Sequence, residues 1–185
     1  MITAISQMLT AFGLSSASGL NAYIPLLTVA LIARFTDWIK LGQPFDVLTN
    51  DIVIGVLVVL LAIETIIDKI PAADTINDIV QTFVRPTAGA ILFAASTSTI
   101  DLNPVLAVVL GLVLSFGVHA VKATARPVVT ASTGGIGNAF VSVGEDAVAA
   151  GLSLTALFVP LLIGLIILLV LAWFFFFRGR RPAES

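Results

Sequence analysis

Long uncharged apolar stretches, punctuated by short clusters of charge, set the pattern of this chain. Residues 9–33 carry no charge. They are long enough to cross a bilayer, which takes about 20 apolar residues. Small and polar side chains interrupt the first half of that stretch, from Ser15 to Pro25. Pro25 removes a backbone donor, so a kinked helix or a half-helix with an unwound turn is expected there. Residues 34–51 form a polar connection, with Trp38 at an interface position. Residues 52–70 predict a second helix, strongly apolar until Glu64 and then carrying Asp68 and Lys69, with Pro71 as its stop.

Residues 72–85 place Ile76, Ile79, Val80, Phe83 and Val84 at helical spacing, opposite Asp74, Asn77, Asp78 and Gln81. That pattern predicts an amphipathic helix lying in the membrane interface. Residues 86–100 are short and rich in Ala, Ser and Thr, suited to spanning a thinned membrane or to close helix packing. Asp101-Leu102-Asn103-Pro104 is a turn signal, and Pro104 suits the first position of a helix running to about Arg126, with Pro127 as its stop. Residues 128–143 are rich in Gly, Ser and Thr. Residues 147–177 are uncharged and, at about 1.5 Å per residue, longer than the roughly 30 Å hydrocarbon core. Tilt, or a kink at Pro160, absorbs the excess. Trp173 and a run of Phe meet the interface, and Arg178, Arg180 and Arg181 follow.

Composition turns these stretches into membrane segments. Hydrophobic residues make up 58% of the 185 and charged residues 11%, with a mean hydropathy of +1.11. A soluble domain carries about 25% charged residues, so lipid is the solvent that suits this chain. The expected fold is all-α: a polytopic helical bundle over residues 1–177 with five or six membrane segments, some interrupted or re-entrant, and a short basic tail at 178–185. Residues 1–10 contain no Lys or Arg, so they read as the start of the first helix and not as a signal-peptide n-region. A net charge of −2 gives no field to hold nucleic acid. Zero cysteines and one histidine exclude disulfides, thiolate chemistry and multi-His metal sites.

The positive-inside rule puts the arginine tail in the cytoplasm. If residues 128–143 do not cross, there are five spans, and Lys69, Arg85, Lys122 and Arg126 face outside, against the rule. If they cross, there are six spans. Those four residues and both termini are then cytoplasmic, with Arg34 and Lys40 outside. Charge favours six; a re-entrant hairpin is the alternative. Gly19-Leu20-Asn21-Ala22-Tyr23 loosely matches Gly135-Ile136-Gly137-Asn138-Ala139-Phe140, and Arg-Pro occurs at Arg85-Pro86 and Arg126-Pro127. Paired interruptions of this kind are a transporter signature.

Chemistry concentrates at two helix ends. Glu64 and Asp68 are four apart and share a face, while Lys69 points roughly 100° away. A carboxylate that deep serves as a proton or cation site or a substrate counter-ion; the plainer reading is a helix end emerging among headgroups. His119, Lys122 and Arg126, spaced by three and four, share a face, and Arg85 ends the preceding segment on the same side. Together they suit a phosphate, or simply anchor the helices through salt bridges. Either way Glu64 and Asp68 are expected near Lys122 or Arg126, because an unpaired charge at that depth is costly. Asn21 and Tyr23, in the first interruption, and Asn138, in the second, are candidates to line a cavity. The stretch 132–140 lacks the Gly-Lys-Ser/Thr ending of a phosphate loop and also suits close packing through glycine. Glu145-Asp146 reads as the acidic opening of the last helix.

Five runs, in this order, resemble a family of prokaryotic membrane proteins known only as domain of unknown function 4126. They are Ser18 to Leu26, Glu64 to Pro71, Arg85 to Ala90, His119 to Pro127 and Gly137 to Ala139. The resemblance runs from about Leu9 to Leu157 and implies a location in a prokaryotic inner membrane. It brings no activity, but it groups the Glu64–Pro71 and His119–Pro127 helix ends.

Three functions compete. One is a small transporter or lipid flippase whose substrate is an anionic small molecule or a phosphate-bearing lipid headgroup. Another is a non-transporting subunit or scaffold whose charges are structural. The third, an intramembrane enzyme using Glu64 and His119, has no nucleophile or metal motif behind it, so the expectation is not an enzyme, with no cofactor and no metal. Membrane lipids are the expected surroundings, and an oligomer is compatible with them.

Overall fold

Helix-forming apolar runs bounded by Asn, Pro and Gly give the chain its elements. The computed structural model describes the backbone of residues 2–68 and 71–178, and side chains of residues 3–68 and 77–174. Lys69 and the basic side chains of the tail, Arg178, Arg180 and Arg181, lie outside the described side chains. The elements are α1 (Ile2–Leu20), α2 (Tyr23–Phe35), a 3-10 turn (Phe45–Thr49), α3 (Asp51–Ile67), α4 (Pro71–Thr97), α5 (Pro104–Thr133), α6 (Ile136–Phe158) and α7 (Pro160–Arg178). The fold is all-α. Asn50 and Asn103 cap α3 and α5, their side-chain oxygens accepting from Ile52 N and from Val105 N and Leu106 N.

Helix α1 is the hub, packing against α4, α5, α6 and α7. Its neighbours come close because their facing residues are small. A Cβ on Gly89 would strike Ser115 Cβ and the Gly111 carbonyl, and one on Gly19 would meet the Ser115 carbonyl and Val118. Hydroxyls stitch the same seam: Ser15 Oγ donates to Gly89 O at 2.9 Å, Ser18 Oγ to Ser115 Oγ at 3.0 Å, and Ser115 Oγ to Arg85 O at 2.7 Å.

Successive helices α1 to α6 run in alternating directions. One end of the bundle, the loop end, gathers the start of α1, residues 36–50, the α4–α5 turn and the α6–α7 break. Gln7 Nε2 donates to Thr99 Oγ1 there at 2.6 Å, and Thr10 Oγ1 to Ala156 O at 2.8 Å. The other end, the charged end, gathers the α1–α2 turn, the end of α3, and the hairpin of α5 and α6. The exterior is apolar, and at the charged end the interior is polar: Ile79, Val80 and Phe83 are exposed while Gln81 and Arg85 are buried. Three helical stretches are long and apolar enough to cross a membrane, Asn77–Thr97, Pro104–Thr133 and Ile136–Phe158. They point to a membrane location.

Several boundaries differ from the sequence reading. Residues 9–33 are not one span: the chain breaks at Asn21 and Ala22, and α2 folds back so that Leu26 lines one groove with Val84 and Ala88, and Val29 lines another cavity with Thr10 and Leu14. Neither Pro86 nor Pro127 ends a helix; both lie inside, in α4 and α5. The interfacial helix at 72–85 and the short segment at 86–100 are one helix. Within a membrane bundle, neighbouring groups compensate for the donor that proline lacks. Residues 128–143 are neither a crossing of their own nor a loop. Gly134 (φ 61°) and Gly135 (φ 88°) turn the chain between α5 and α6 in a left-handed conformation that only glycine adopts cheaply. Residues 147–177 divide at Val159 into α6 and α7, because Pro160 begins a new helix. Finally, α1 starts at the loop end, opposite Lys122 and Arg126, so the two do not share a side as the six-span reading had it.

Candidate functional site: a buried ion-pair network

Each helix that reaches the charged end turns one polar stripe inward. On α5 the buried positions are Ala107, Gly111, Ser115, His119, Lys122 and Arg126. They are spaced by three and four, changing from small to charged along the helix. On α6 the buried stripe includes Asn138, Ser142, Ala149 and Ser153, and Glu145 falls on the same face. Helix α3 buries Leu57 and Glu64, and α4 brings Asp78, Gln81 and Arg85.

These stripes meet in a network of ion pairs. Arg85 Nη2 donates to Glu64 Oε1 at 2.9 Å, and the two side chains are 0% and 1% exposed. Arg126 Nη2 lies 3.4 Å from Asp68 Oδ2 and 3.1 Å from Glu145 Oε2. Lys122 Nζ donates to Glu145 Oε2 at 2.8 Å and to the Leu20 carbonyl, which α1 leaves unpaired at its end, at 3.1 Å. Asp78 sits 3.9 Å from both Arg85 and Arg126. Asp68 also accepts from Asn77 Nδ2 at 2.9 Å and Ser142 Oγ at 3.1 Å.

His119 has its protonation fixed by its neighbours. Its Nδ1 is 3.0 Å from Arg85 Nη1. A guanidinium can only donate, so Nδ1 accepts. Its Nε2 is 3.0 Å from Thr82 Oγ1, whose own proton goes to the Asp78 carbonyl at 2.8 Å. Nε2 therefore carries the hydrogen, and the ring is neutral.

The structure thus brings together Glu64, Asp68, Arg85, His119, Lys122 and Arg126. Glu64 pairs with Arg85 and not with Lys122 or Arg126; Asp68 pairs with Arg126. The three proposed cavity residues do other work. Asn21 caps α2, its Oδ1 accepting from Tyr23 N at 2.9 Å and Ile24 N at 3.0 Å, while its Nδ2 donates to Asp146 Oδ1 at 2.9 Å. Tyr23 is buried beside Gln81, Glu64 and Arg85. Asn138 Nδ2 donates to Thr130 Oγ1 at 2.9 Å and ties the α5–α6 hairpin. None of them lines the described cavities. The opening at the charged end is a groove of about 350 Å³ with Lys122 and Glu145 among apolar neighbours.

Sequence reasoning missed Glu145 and Asp146, which lie well inside α6 and not at a helix start. The spacing Asn138, Ser142, Glu145, Ala149 carried the signal. With them the described side chains of the network number five carboxyl groups, from Glu64, Asp68, Asp78, Glu145 and Asp146, and three cations, from Arg85, Lys122 and Arg126. Among the described side chains no group of His, Asp and Glu has the arrangement of a metal site. Glu64 Oε2, Gln81 Oε1 and Arg85 Nε are buried without a hydrogen-bonding protein partner.

A helical bundle with an apolar exterior and a buried network of charge is the class of protein these features define. The chain matches the family described as a domain of unknown function (DUF4126) over residues 8–180 and belongs to it. No curated protein and no solved structure matches it.

Proposed function

We propose that this protein is a small membrane transporter whose buried network binds a proton or a monovalent cation. The carrying observation is that the described side chains of the site number five carboxyl groups and three cations, among helices of which α4, α5 and α6 hold stretches long and apolar enough to span a bilayer. Uncompensated carboxylates at such depth are costly unless a cation neutralises them. Glu64 is the binding group best placed for it, since Oε1 is held by Arg85 and Oε2 has no protein partner. The anion-binding role that the sequence suggests for Arg85, Lys122 and Arg126 has less support, because each is already within ion-pair reach of a carboxylate. In this reading α4, α5 and α6 cross the membrane in alternation, with the charged end cytoplasmic.

The scaffold reading draws on the same pairing: a network with each described cation within reach of a carboxylate also holds five helices together without moving anything. Proteoliposomes separate the two. The purified protein should carry protons, sodium or potassium down an imposed gradient, reported by an internal pH dye or an ion-selective electrode. The Glu64→Gln/Arg85→Gln double variant removes both partners, so it should fold and lose the flux. A folded wild type that moves none of these ions, or a double variant that moves them equally well, would replace the transporter with the scaffold.

A further inference from the structure

The geometry points to a second site, a binding cavity at the loop end for a small solute or headgroup bearing a phosphate. It goes beyond the ion-binding reading and does not depend on it. The cavity measures about 270 Å³, close to the lower end of small-ligand sites at roughly 300–1,000 Å³. Its wall follows α1 from Ser6 to Leu14, a rise of about 12 Å. Helix α4 contributes Ala95 and Ser96, the turn after it Ser98 and Thr99, and the connection between α2 and α3 contributes Trp38 to Leu41. Unlike the grooves beside Leu26 and beside Ile52, it is lined by several polar side chains, among them Ser6, Gln7, Thr10, Ser96 and Thr99.

Charge selects the ligand. Lys40 is the cavity's one charged lining residue, and no carboxylate lines it. Among the described side chains, Arg34, Arg85, Lys122 and Arg126 each lie within ion-pair distance of a carboxylate, and Lys40 does not. An ammonium without a counter-ion at the mouth of a water-accessible cavity favours an anion. Hydroxyls deepen the preference. Ser6 and Ser96 make no hydrogen bond to the described protein, and Thr99 Oγ1 accepts from Gln7, which leaves its proton to donate. Three hydroxyl donors and an ammonium suit the several acceptor oxygens of a phosphate. Leu14, Val29 and Leu157 give the floor an apolar part. The indole of Trp38, stacked edge-on to Phe158 at 5.1 Å, sits where a bound ligand alters its emission.

The test uses the full chain in dodecyl maltoside micelles, which carry no phosphate, with Trp173→Phe so that Trp38 is the sole indole. Inorganic phosphate and dihexanoyl phosphatidic acid are titrated separately at constant ionic strength, with chloride as the control. At least one probe should give a saturable change in emission. Lys40→Gln, on an exposed loop, should weaken it about tenfold, as loss of a charged hydrogen bond implies. Ser96→Ala should weaken it less, and Lys40→Arg should retain it. Binding of phosphate alone makes the ligand a free solute; binding of the short-chain lipid alone makes it a headgroup. No saturation by either up to about 10 mM, or equal binding by the Lys40→Gln variant, overturns the site. Because the readout is binding, its failure leaves the ion-flux experiment untouched, and the reverse holds too.

Discussion

Removing one member of the Glu64–Arg85 pair is a different perturbation from removing both. Loss of one partner leaves a buried charge or polar atom unsatisfied, whereas loss of both does not. The surplus of carboxyl groups among the described side chains makes the two single changes unequal. Arg85→Gln removes one of the three described cations of the network, and it strips His119 Nδ1 of its donor. It should cost about 3–5 kcal/mol. Glu64→Gln relieves part of the surplus and should cost about 1–3 kcal/mol. The double variant should be more stable than Arg85→Gln alone. Thermal unfolding of the four proteins in detergent measures the cycle; equal losses for the two single variants would show that the excess negative charge is neutralised some other way. Glu64, Asp68, Arg85, His119, Lys122 and Arg126 were legible from spacing alone, since a charge on the inner face of an apolar helix has few other places to be. Their pairing was not. Which carboxylate meets which cation depends on helix rotation and vertical offset, and neither is written in a single helix's pattern.

At the level of elements, the departures from the sequence reading share a cause. Pro86, Pro127 and Pro160 are chemically alike, yet Pro160 alone marks a helix boundary. Rules for proline come from helices in water, where a lost hydrogen bond is readily replaced by solvent. In a lipid-facing helix the helical conformation is the cheapest way to satisfy the remaining backbone groups, so the chain stays helical through the defect. Asn21 and Gly134-Gly135 break the chain because they supply what a turn needs: a side-chain acceptor for two orphan amides, and two left-handed residues. The amphipathic pattern of α4 is legible in the sequence, but its faces are the reverse of those of a helix in water, because polar side chains turn inward when the surroundings are apolar. The small-residue seam makes a sharper prediction. Gly89→Ala places a methyl against Ser115 and the Gly111 carbonyl, backbone that cannot swing aside. Gly55→Ala meets nothing. The first should lose about 1–3 kcal/mol as an overpacked contact, and the second should be neutral or gain slightly from helix propensity. Comparable melting temperatures for the two variants would mean that α1, α4 and α5 are not packed this tightly.

For the whole molecule, the open question is which way round the bundle sits. The structure fixes the relative ends: the turn at Gly134 belongs to the charged end, whereas Asp101, residues 36–50 and the start of α1 belong to the loop end. Helix α5 alone, from Pro104 to Thr133, separates the two by about 45 Å, more than a hydrocarbon core. Orientation then rests on charge. Arg85, Lys122 and Arg126 lie toward one end, joined in sequence by Lys69; Arg34 and Lys40 lie at the other, among Asp37, Asp46, Asp51 and Asp101. The positive-inside rule counts Lys and Arg near the segment ends and gives acidic residues little weight, so the charged end is expected to face the cytoplasm. The buried pairing does not weaken this, because orientation is set during insertion, before the helices have packed against one another. The absence of native cysteine makes the test clean. Single cysteines at Ser132 and at Asp101, both exposed, should react oppositely with a membrane-impermeant maleimide added to intact cells: Asp101→Cys labelled, Ser132→Cys protected until the membrane is permeabilised. A cysteine at Thr3, exposed at the start of α1, should follow Asp101, since α1 begins at the loop end. External labelling of Ser132→Cys with protection of Asp101→Cys would invert the molecule and put the phosphate cavity on the cytoplasmic side. Labelling of both from outside would mean that α5 does not cross at all, and the alternating bundle would have to be abandoned.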